Sequence, residues 1–374
     1  MSRPFPSVDP EGLLEYSVVF TDRALNHMSA VFQQAMRDIA STLKSTYRAE
    51  AAIVVPGGGS FGMEAIARQF GHDRHCLVLR NGWFSYRWSQ ILEMGRIPSL
   101  ETVLSARAAA GPGPQPFAPV PIEEVETVIR REKPDLVFAP HVETASGMVL
   151  PDDYLKRVGA AVHAHGGLFV LDCVASGALW VDMPACGVDI LLTAPQKVWS
   201  STPCAALVML GAEALRRLDA TQSSSFAADL KRWHQIMKAY EGGGHMYHAT
   251  MPTDALVRLR DAMNDTVAVG LENLRTAQIA LGAGVRRMLE ANGFPSVAAA
   301  PFASPTVVVS YTTDPEIASA KKFVARGVQT AAGVPLMCGE PADFRSFRVG
   351  LFGLDKLCDV AGAVSRLEAA VKLL

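Results

Sequence analysis

The chain has 374 residues, 49% of them apolar, with 35 basic against 37 acidic side chains. That length allows two domains, or one large domain with a smaller appendage. The balanced charge excludes a chain that gathers nucleic acid or anionic membrane through excess basicity, so small molecules and copies of itself are the expected partners.

Residues 1–10 contain one arginine and three prolines but no apolar core of signal-peptide length. Nor is there an uninterrupted apolar run of about 20 residues anywhere, so a cytoplasmic protein without a membrane span is expected. The cysteines, Cys76, Cys173, Cys186, Cys204, Cys338 and Cys358, are scattered, form no C-x-x-C pair and show no metal-ligand spacing with histidine partners. Neither a metal site nor a disulfide framework is indicated, and reduced, mostly buried thiols are expected.

In chain order, Met28, Val31, Phe32, Met36, Ile39 and Leu43 have helical spacing and predict a helix over 28–47. A β-branched strand at 52–55 follows and ends in glycines. Next come a helix at 60–70, a strand at 76–79, and helices at 86–94 and 122–132. A strand at 136–139, a helix at 152–165 and strands at 168–172, 189–193 and 205–210 complete the first part. Strands alternating with helices predict a mostly parallel sheet between helical layers. The stretch "AAAGPGPQPFAPVP" at 108–121 reads as a surface loop. Beyond it, one or two long helices cover 256–289, and a strand at 306–311, a helix at 316–325, a strand at 347–350 and a terminal helix follow. The expected organisation is an N-terminal arm at 1–27, a large domain at 28–269 and a small α+β domain at 270–374.

Ligands of open parallel sheets bind at the carboxyl ends of the strands. In "VVPGGGSFGMEA" a glycine cluster joins a strand to a helix, so Gly57, Gly58, Gly59 and Ser60 offer backbone N–H groups and a helix dipole to a phosphate. A tight turn without a ligand fits the same residues, and the spacing matches neither G-x-G-x-x-G nor the P-loop. Asp172 ends the apolar strand in "LFVLDCVAS", where a carboxylate is costly to bury without a cation or several donors. Lys197 lies 25 residues later, after the next strand. Singly these could be a cap and a surface lysine. Together they supply what pyridoxal phosphate requires: a cradle for the phosphate, an acid that keeps the ring nitrogen protonated, and a lysine for the aldehyde.

The segments "HVETASG", "LDCVASGALWVDMPACGVDILLTAPQK", "MYHATMP" and "FRVGLFG" resemble the class V aminotransferases, and most of all the alanine–glyoxylate and serine–pyruvate branch. The resemblance runs from about residue 28 onward with the motifs in the family's order. It implies the fold type I architecture of pyridoxal-phosphate enzymes and a transaminase for a small amino acid and a small 2-oxo acid. Carried over by position, it implies Lys197 as the Schiff-base lysine and Asp172 as the partner of the ring nitrogen. Thr144 would bond the ring edge, and Gln196 would reach the phosphate with Gly58, Gly59 and Ser60. Val174 would press one ring face, and Phe84 of "NGWFSYR" would stack on the ring; Trp83 is adjacent, and the Asn81–Gly82 pair favours Phe84. Tyr247 and Thr250 would touch the phosphate in a neighbouring subunit, which implies a homodimer. Arg348 would grip the substrate carboxylate through its planar fork.

The chain departs from the family at its start, "PFPSVDPEGLLEYSVVFTDRALNHMS", where a Gly-Pro-rich arm is usual. The segment around Asn26 and His27 is expected near an active site across a dimer or, more modestly, as a helix cap. Cys173 is expected to be a packing residue. Two other readings remain at this point. One is a lyase of the same fold, such as a cysteine desulfurase using Cys338; the other is a nucleotide binder using "PGGGSFG", which leaves Asp172 and Lys197 without roles.

Overall fold

The computed structural model of the chain describes residues 6–374. Helix α1, Ala30–Tyr47, begins where the Ser29 side chain accepts a hydrogen bond from the Phe32 N–H, and it ends at Arg48 in the left-handed conformation. Phe32, Met36, Ile39, Leu43 and Tyr47 form its buried stripe. Removing side chains of this size from water contributes about 1.5–3 kcal/mol each. Met28 and Val31 do not join the stripe and stay exposed, since Met28 precedes the cap and Val31 is turned off the buried face.

The main sheet has seven strands: β1 (Ala51–Pro56), β2 (His75–Arg80), β3 (Leu100–Ser105), β4 (Leu136–Pro140), β5 (Leu168–Asp172), β6 (Ile190–Thr193) and β7 (Ala205–Leu210). Their spatial order is β1-β7-β6-β5-β4-β2-β3. Only β7 runs against its neighbours β1 and β6; the pairings β6 to β5, β5 to β4, β4 to β2 and β2 to β3 are parallel. Central strands such as β6 and β7 are buried at every residue, because helices cover both faces. This topology brings Pro56, Arg80, Pro140, Asp172 and Thr193, the last residues of five strands that point the same way, to one edge.

Strand β3 was not expected from the sequence. It is one of the sheet's two edge strands and only partly buried, so its pattern lacks the apolar continuity of the inner strands. Helices Ala212–Leu218 and Leu230–Glu241 were not anticipated either. The expected surface loop at 108–121 is more ordered: Phe117–Ala118 pairs with Arg107–Ala108, and Phe117 and Val120 are buried.

The long helical region after 250 is two helices, Thr253–Val269 and Leu271–Ala291, separated at Gly270 with φ +96°. The helix expected at 316–325 is likewise split, into Pro315–Ala318 and Lys321–Ala325, because Ala320 is left-handed with φ +64°. A smaller antiparallel sheet has the order β8 (Val307–Tyr311), β10 (Ser346–Gly350), β9 (Ala331–Ala332). Helices Leu271–Ala291 and Val360–Val371 pack beside it around Leu281, Val285, Phe323 and Phe347, a core separate from that of the large sheet.

Candidate active site

After β1 the chain turns through Gly57, at φ +121°, into helix α2, Gly59–Phe70. Only glycine adopts that φ readily. At Gly59 a Cβ atom would lie 2.9 Å from a Val174 methyl, so the turn can come this close to the β5 end only without a side chain. Around a Cβ at Gly58 there is open space within 4 Å. The first N–H groups of α2 therefore face a clearing beside Val174, with the positive end of a 12-residue helix behind them. Ser60 is at its rim, and its Oγ accepts a hydrogen bond from Arg87 Nη1 at 2.8 Å.

Asp172 closes β5 and is half-buried. Its Oδ1 accepts the Val174 N–H at 2.9 Å, and among the described residues no cation lies within ion-pair distance of it. Burial pushes its pKa up to about 6, against the lowering effect of the Val174 N–H and of Lys197. Lys197 lies in the single helical turn Pro195–Val198 that follows β6. Burial lowers its pKa, Asp172 opposes this, and Arg348 reinforces it. The Lys197 Nζ lies 5.3 Å from the centre of the Phe352 ring. A lysine shifted in this way holds more neutral amine near pH 7, the form able to bond a carbonyl carbon or take a proton.

Phe84 stands in the first turn of helix α3, Trp83–Gly95. Two guanidinium groups approach its ring, Arg87 at 5.2 Å and Arg348 at 5.4 Å. Arg348 comes from β10 of the small sheet; its Nε donates to the Ala332 carbonyl at 2.8 Å and its pKa is lowered by burial. The groove therefore lies between the strand ends of the large sheet and the small sheet, lined by an aromatic face from helix α3 and a cation from β10. Thr144 is half-buried in the turn joining Val142–Glu143 to Met148–Val149, and Gln196 is exposed beside Lys197.

Tyr247 and Thr250 belong to a different surface. Both are exposed, and their hydroxyl groups are 2.9 Å apart. The Tyr247 ring packs 5.5 Å from buried His27, which also meets Phe20 and His245. Asn26 donates to Glu15 at 2.7 Å and to Ser17 at 3.1 Å, and its Oδ1 accepts from the Met28 N–H at 2.8 Å. The N-terminal arm is thereby fastened to the loop that carries Tyr247.

Sequence reasoning did not assign Arg87, Glu143 or Phe352. All three stand inside the quoted segments "NGWFSYR", "HVETASG" and "FRVGLFG", but only the fold shows what they touch. Cys338, the nucleophile that a desulfurase would need, points its Sγ at the carbonyls of Arg80 (3.4 Å) and Leu336 (3.5 Å), and burial pushes its pKa up to about 12. A thiol so protonated is a poor nucleophile. Cys173 is buried with its pKa well raised. Among the described residues no helix is long and apolar enough to cross a membrane, and no group of three or more His, Cys, Asp or Glu is placed to hold a metal ion.

The sequence matches the family described as Aminotransferase class-V over residues 13–334. The chain belongs to that family, which makes it an enzyme of the pyridoxal-phosphate-dependent aminotransferase kind. Among curated relatives, a 2-aminoethylphosphonate–pyruvate transaminase of Paraburkholderia phymatum is 27% identical over 322 residues, covering 84% of this chain and 81% of that one. An alanine–glyoxylate aminotransferase of Callithrix jacchus is 29% identical over 255 residues, covering 67% of this chain and 58% of that one. The crystal structure of an alanine–glyoxylate aminotransferase from Nostoc sp. superposes with a TM-score of 0.79 at 22% identity, covering 94% of this chain and 89% of that one, and shares the fold.

Proposed function

We propose that the chain moves the amino group of a small L-amino acid, of the alanine or serine type, to a small 2-oxo acid of the glyoxylate or pyruvate type. Two half-reactions share one pyridoxal phosphate site. The observation that carries this reading is a pair of opposite ionisable groups, Asp172 and Lys197, set at the ends of adjacent parallel strands. Neither is in an ion pair with the other. The names of the relatives support the substrate class.

The residues fit the coenzyme. The clearing at Gly58 suits a phosphate, and Asp172 has no cation beside it until a protonated ring nitrogen arrives. Pyridoxal phosphate, when bound, supplies an aldehyde to carry the amino group and a ring that accepts electrons from the substrate's α-carbon. In this reading Asp172 holds a proton at the ring nitrogen, and Lys197, whose pKa burial lowers, takes the α-proton and returns it on the other side of the amino transfer. Arg348 binds the substrate carboxylate, Phe84 and Val174 hold the ring between them, and Thr144 bonds its edge. The backbone at Gly58, Gly59 and Ser60, joined by Gln196, binds the phosphate. A ring stack contributes about 1 kcal/mol beyond area burial.

The same reading takes the active unit as a homodimer in which Tyr247 and Thr250 reach the partner copy's phosphate. The exposed apolar side chains of the arm beside that loop, Leu13, Leu14, Tyr16 and Val18, support it. It divides the chain into an arm at 1–27, a large domain at 28–269 and a small domain at 270–374, supported by the break at Gly270 and by a core for the small sheet distinct from that of the large sheet, the two being bridged by a third cluster that includes Phe117, Val142, Val307 and Tyr311. A cytoplasmic location goes with it, since free thiols persist there.

The test is a half-reaction followed by absorbance. Alanine, serine, glycine and 2-aminoethylphosphonate are each added to the purified chain without an oxo acid. At least one small donor should convert the coenzyme's visible band, and glyoxylate or pyruvate should restore it. If no small donor shifts the band, the reading fails.

A further inference from the structure

Glu143 is a carboxylate for which the chemistry above has no use, and it is 0% exposed. Burying an ionised carboxylate is costly unless several donors meet it. Here Oε1 accepts from the N–H of Phe84 at 3.2 Å and of Ala145 at 2.9 Å. Oε2 accepts from the N–H of Ser85 at 2.8 Å and from its hydroxyl at 2.6 Å. No cation pairs with it among the described residues. What stabilises the charge is the positive end of α3, whose first residues carry two of those three N–H groups.

Helix α3 opens at Gly82, which has no side chain to satisfy its free N–H groups, so Glu143 reaches across from another strand to do so. The fit is close: a Cβ atom at Gly82 would lie 2.7 Å from the Glu143 Cγ. The other backbone partner, Ala145, follows Thr144 directly. One carboxylate thus fastens the helix turn that presents Phe84 to the turn that presents Thr144. These are the two groups assigned above to the coenzyme ring's face and its edge.

We propose that Glu143 is a positioning residue for the coenzyme, a clamp that fixes the Phe84 platform relative to Thr144 and so sets the orientation of the ring; this rests on the pyridoxal phosphate reading. The experiment uses the full chain with Glu143→Ala, Glu143→Gln and Ser85→Ala. It measures three things: the dissociation constant of pyridoxal phosphate from the stripped chain, the visible circular dichroism of the bound coenzyme, and the unfolding midpoint of the stripped chain. Glu143→Ala should weaken coenzyme binding by about tenfold to a hundredfold, the cost of orphaned buried donors. Glu143→Gln keeps one acceptor oxygen but sets an amide N–H against the Ser85 N–H, and should fall between it and native. Ser85→Ala loses the hydroxyl bond to Glu143 Oε2 together with the bonds the hydroxyl accepts from the N–H groups of Asn81 and Gly82, but leaves the three backbone N–H bonds to Glu143, and should weaken binding by about twofold to fivefold.

All three should also change the amplitude of the dichroic band per bound coenzyme, because that band reports ring orientation. A role confined to folding would lower the midpoint and leave the band unaltered, and that result would overturn the proposal. Should Glu143→Ala fail to fold, the other two variants decide on the same criterion. A native chain that binds no pyridoxal phosphate overturns the transaminase reading and this clamp together. A native chain with its normal band beside variants with an identical one overturns the clamp alone.

Discussion

The strand-end groove and the face formed by the N-terminal arm with residues 245–250 treat their side chains in opposite ways. In the groove, charged groups are withdrawn from water: Asp172 has its pKa raised, while Lys197 and Arg348 have theirs lowered, each chiefly by burial. On the arm, apolar groups are left in water: Leu13 is 99% exposed, Tyr16 89% and Val18 101%. The groove holds electrostatic energy that a ligand of the right charge can release. The arm face holds apolar area that only another surface can cover. Chemistry and assembly are thus stored in different kinds of unfavourable exposure, which makes them separable by mutation.

The sharpest separation is expected at Asp172. Asp172→Asn keeps an oxygen for the Val174 N–H but cannot hold a proton at a ring nitrogen, so turnover should fall by about a hundredfold to a thousandfold, the scale of one lost electrostatic partner in a buried site. Stability of the coenzyme-free chain should move the other way. The folded pKa of about 6 lies above the ordinary 3.8, so the folded chain binds this proton more tightly than the unfolded one. The carboxylate therefore costs nothing below about pH 3.8, its penalty grows as pH rises, and it is complete above about pH 6. The asparagine variant should be more stable than native by about 2 kcal/mol at pH 7 to 8 and equal to it near pH 4. Denaturant titrations across that range check it, and equal stabilities at pH 8 would show that the groove is not under this strain.

Arg348 tests whether the groove needs both sheets. Lysine at this position keeps a charge but loses the planar fork and the Nε bond to the Ala332 carbonyl. For Arg348→Lys, kcat/KM should drop by about tenfold to a hundredfold, mostly through KM, as expected for a charge-assisted contact made to substrate and transition state alike. Steady-state kinetics with a range of donors would show it. A kcat effect at constant KM would instead place Arg348 among the groups that act only as the reaction proceeds.

The same division explains what could be read from the sequence. The inner strands are covered on both faces, so runs such as "ILLT" and "AALVML" announce themselves, and the residue ending such a run on one of the parallel strands falls at the ligand edge by topology alone. The placement of Asp172 at that edge was legible for that reason, and Lys197 follows in the turn just after the run "ILLT" ends. Strand β3 was not, because an edge strand with one face toward solvent has mixed polarity. The reversed direction of β7 leaves no trace in composition either, since antiparallel and parallel inner strands are equally apolar when both faces are buried. Glu143 and Arg87 lay in segments already singled out, yet their partners, Phe84 with Ser85 and Ser60, are 59, 58 and 27 positions away. No local pattern encodes a cap supplied from that distance. The loop at 108–121 misled because its prolines and glycines outweigh two residues, Phe117 and Val120, that are buried.

The smallest effect is expected on the arm face, and there it discriminates most. Among the described residues the Tyr247 hydroxyl has a single hydrogen-bond partner, Thr250 Oγ1, and both residues are exposed. Losing so exposed a bond changes the stability of an isolated chain very little. A role in the partner copy's phosphate site predicts something different for Tyr247→Phe: coenzyme binding weaker by about twofold to tenfold, with a native unfolding midpoint. The effect should depend on assembly. Titrating pyridoxal phosphate into native and variant chains at protein concentrations above and below that at which the dimer dissociates should show the difference only above it. A loss of affinity that persists in monomers would place Tyr247 at its own chain's coenzyme, and no loss at either concentration would leave the hydroxyl to its bond with Thr250. Either result would remove the requirement for a second chain at the phosphate, and the exposed apolar arm would then have to be explained by association without shared catalysis.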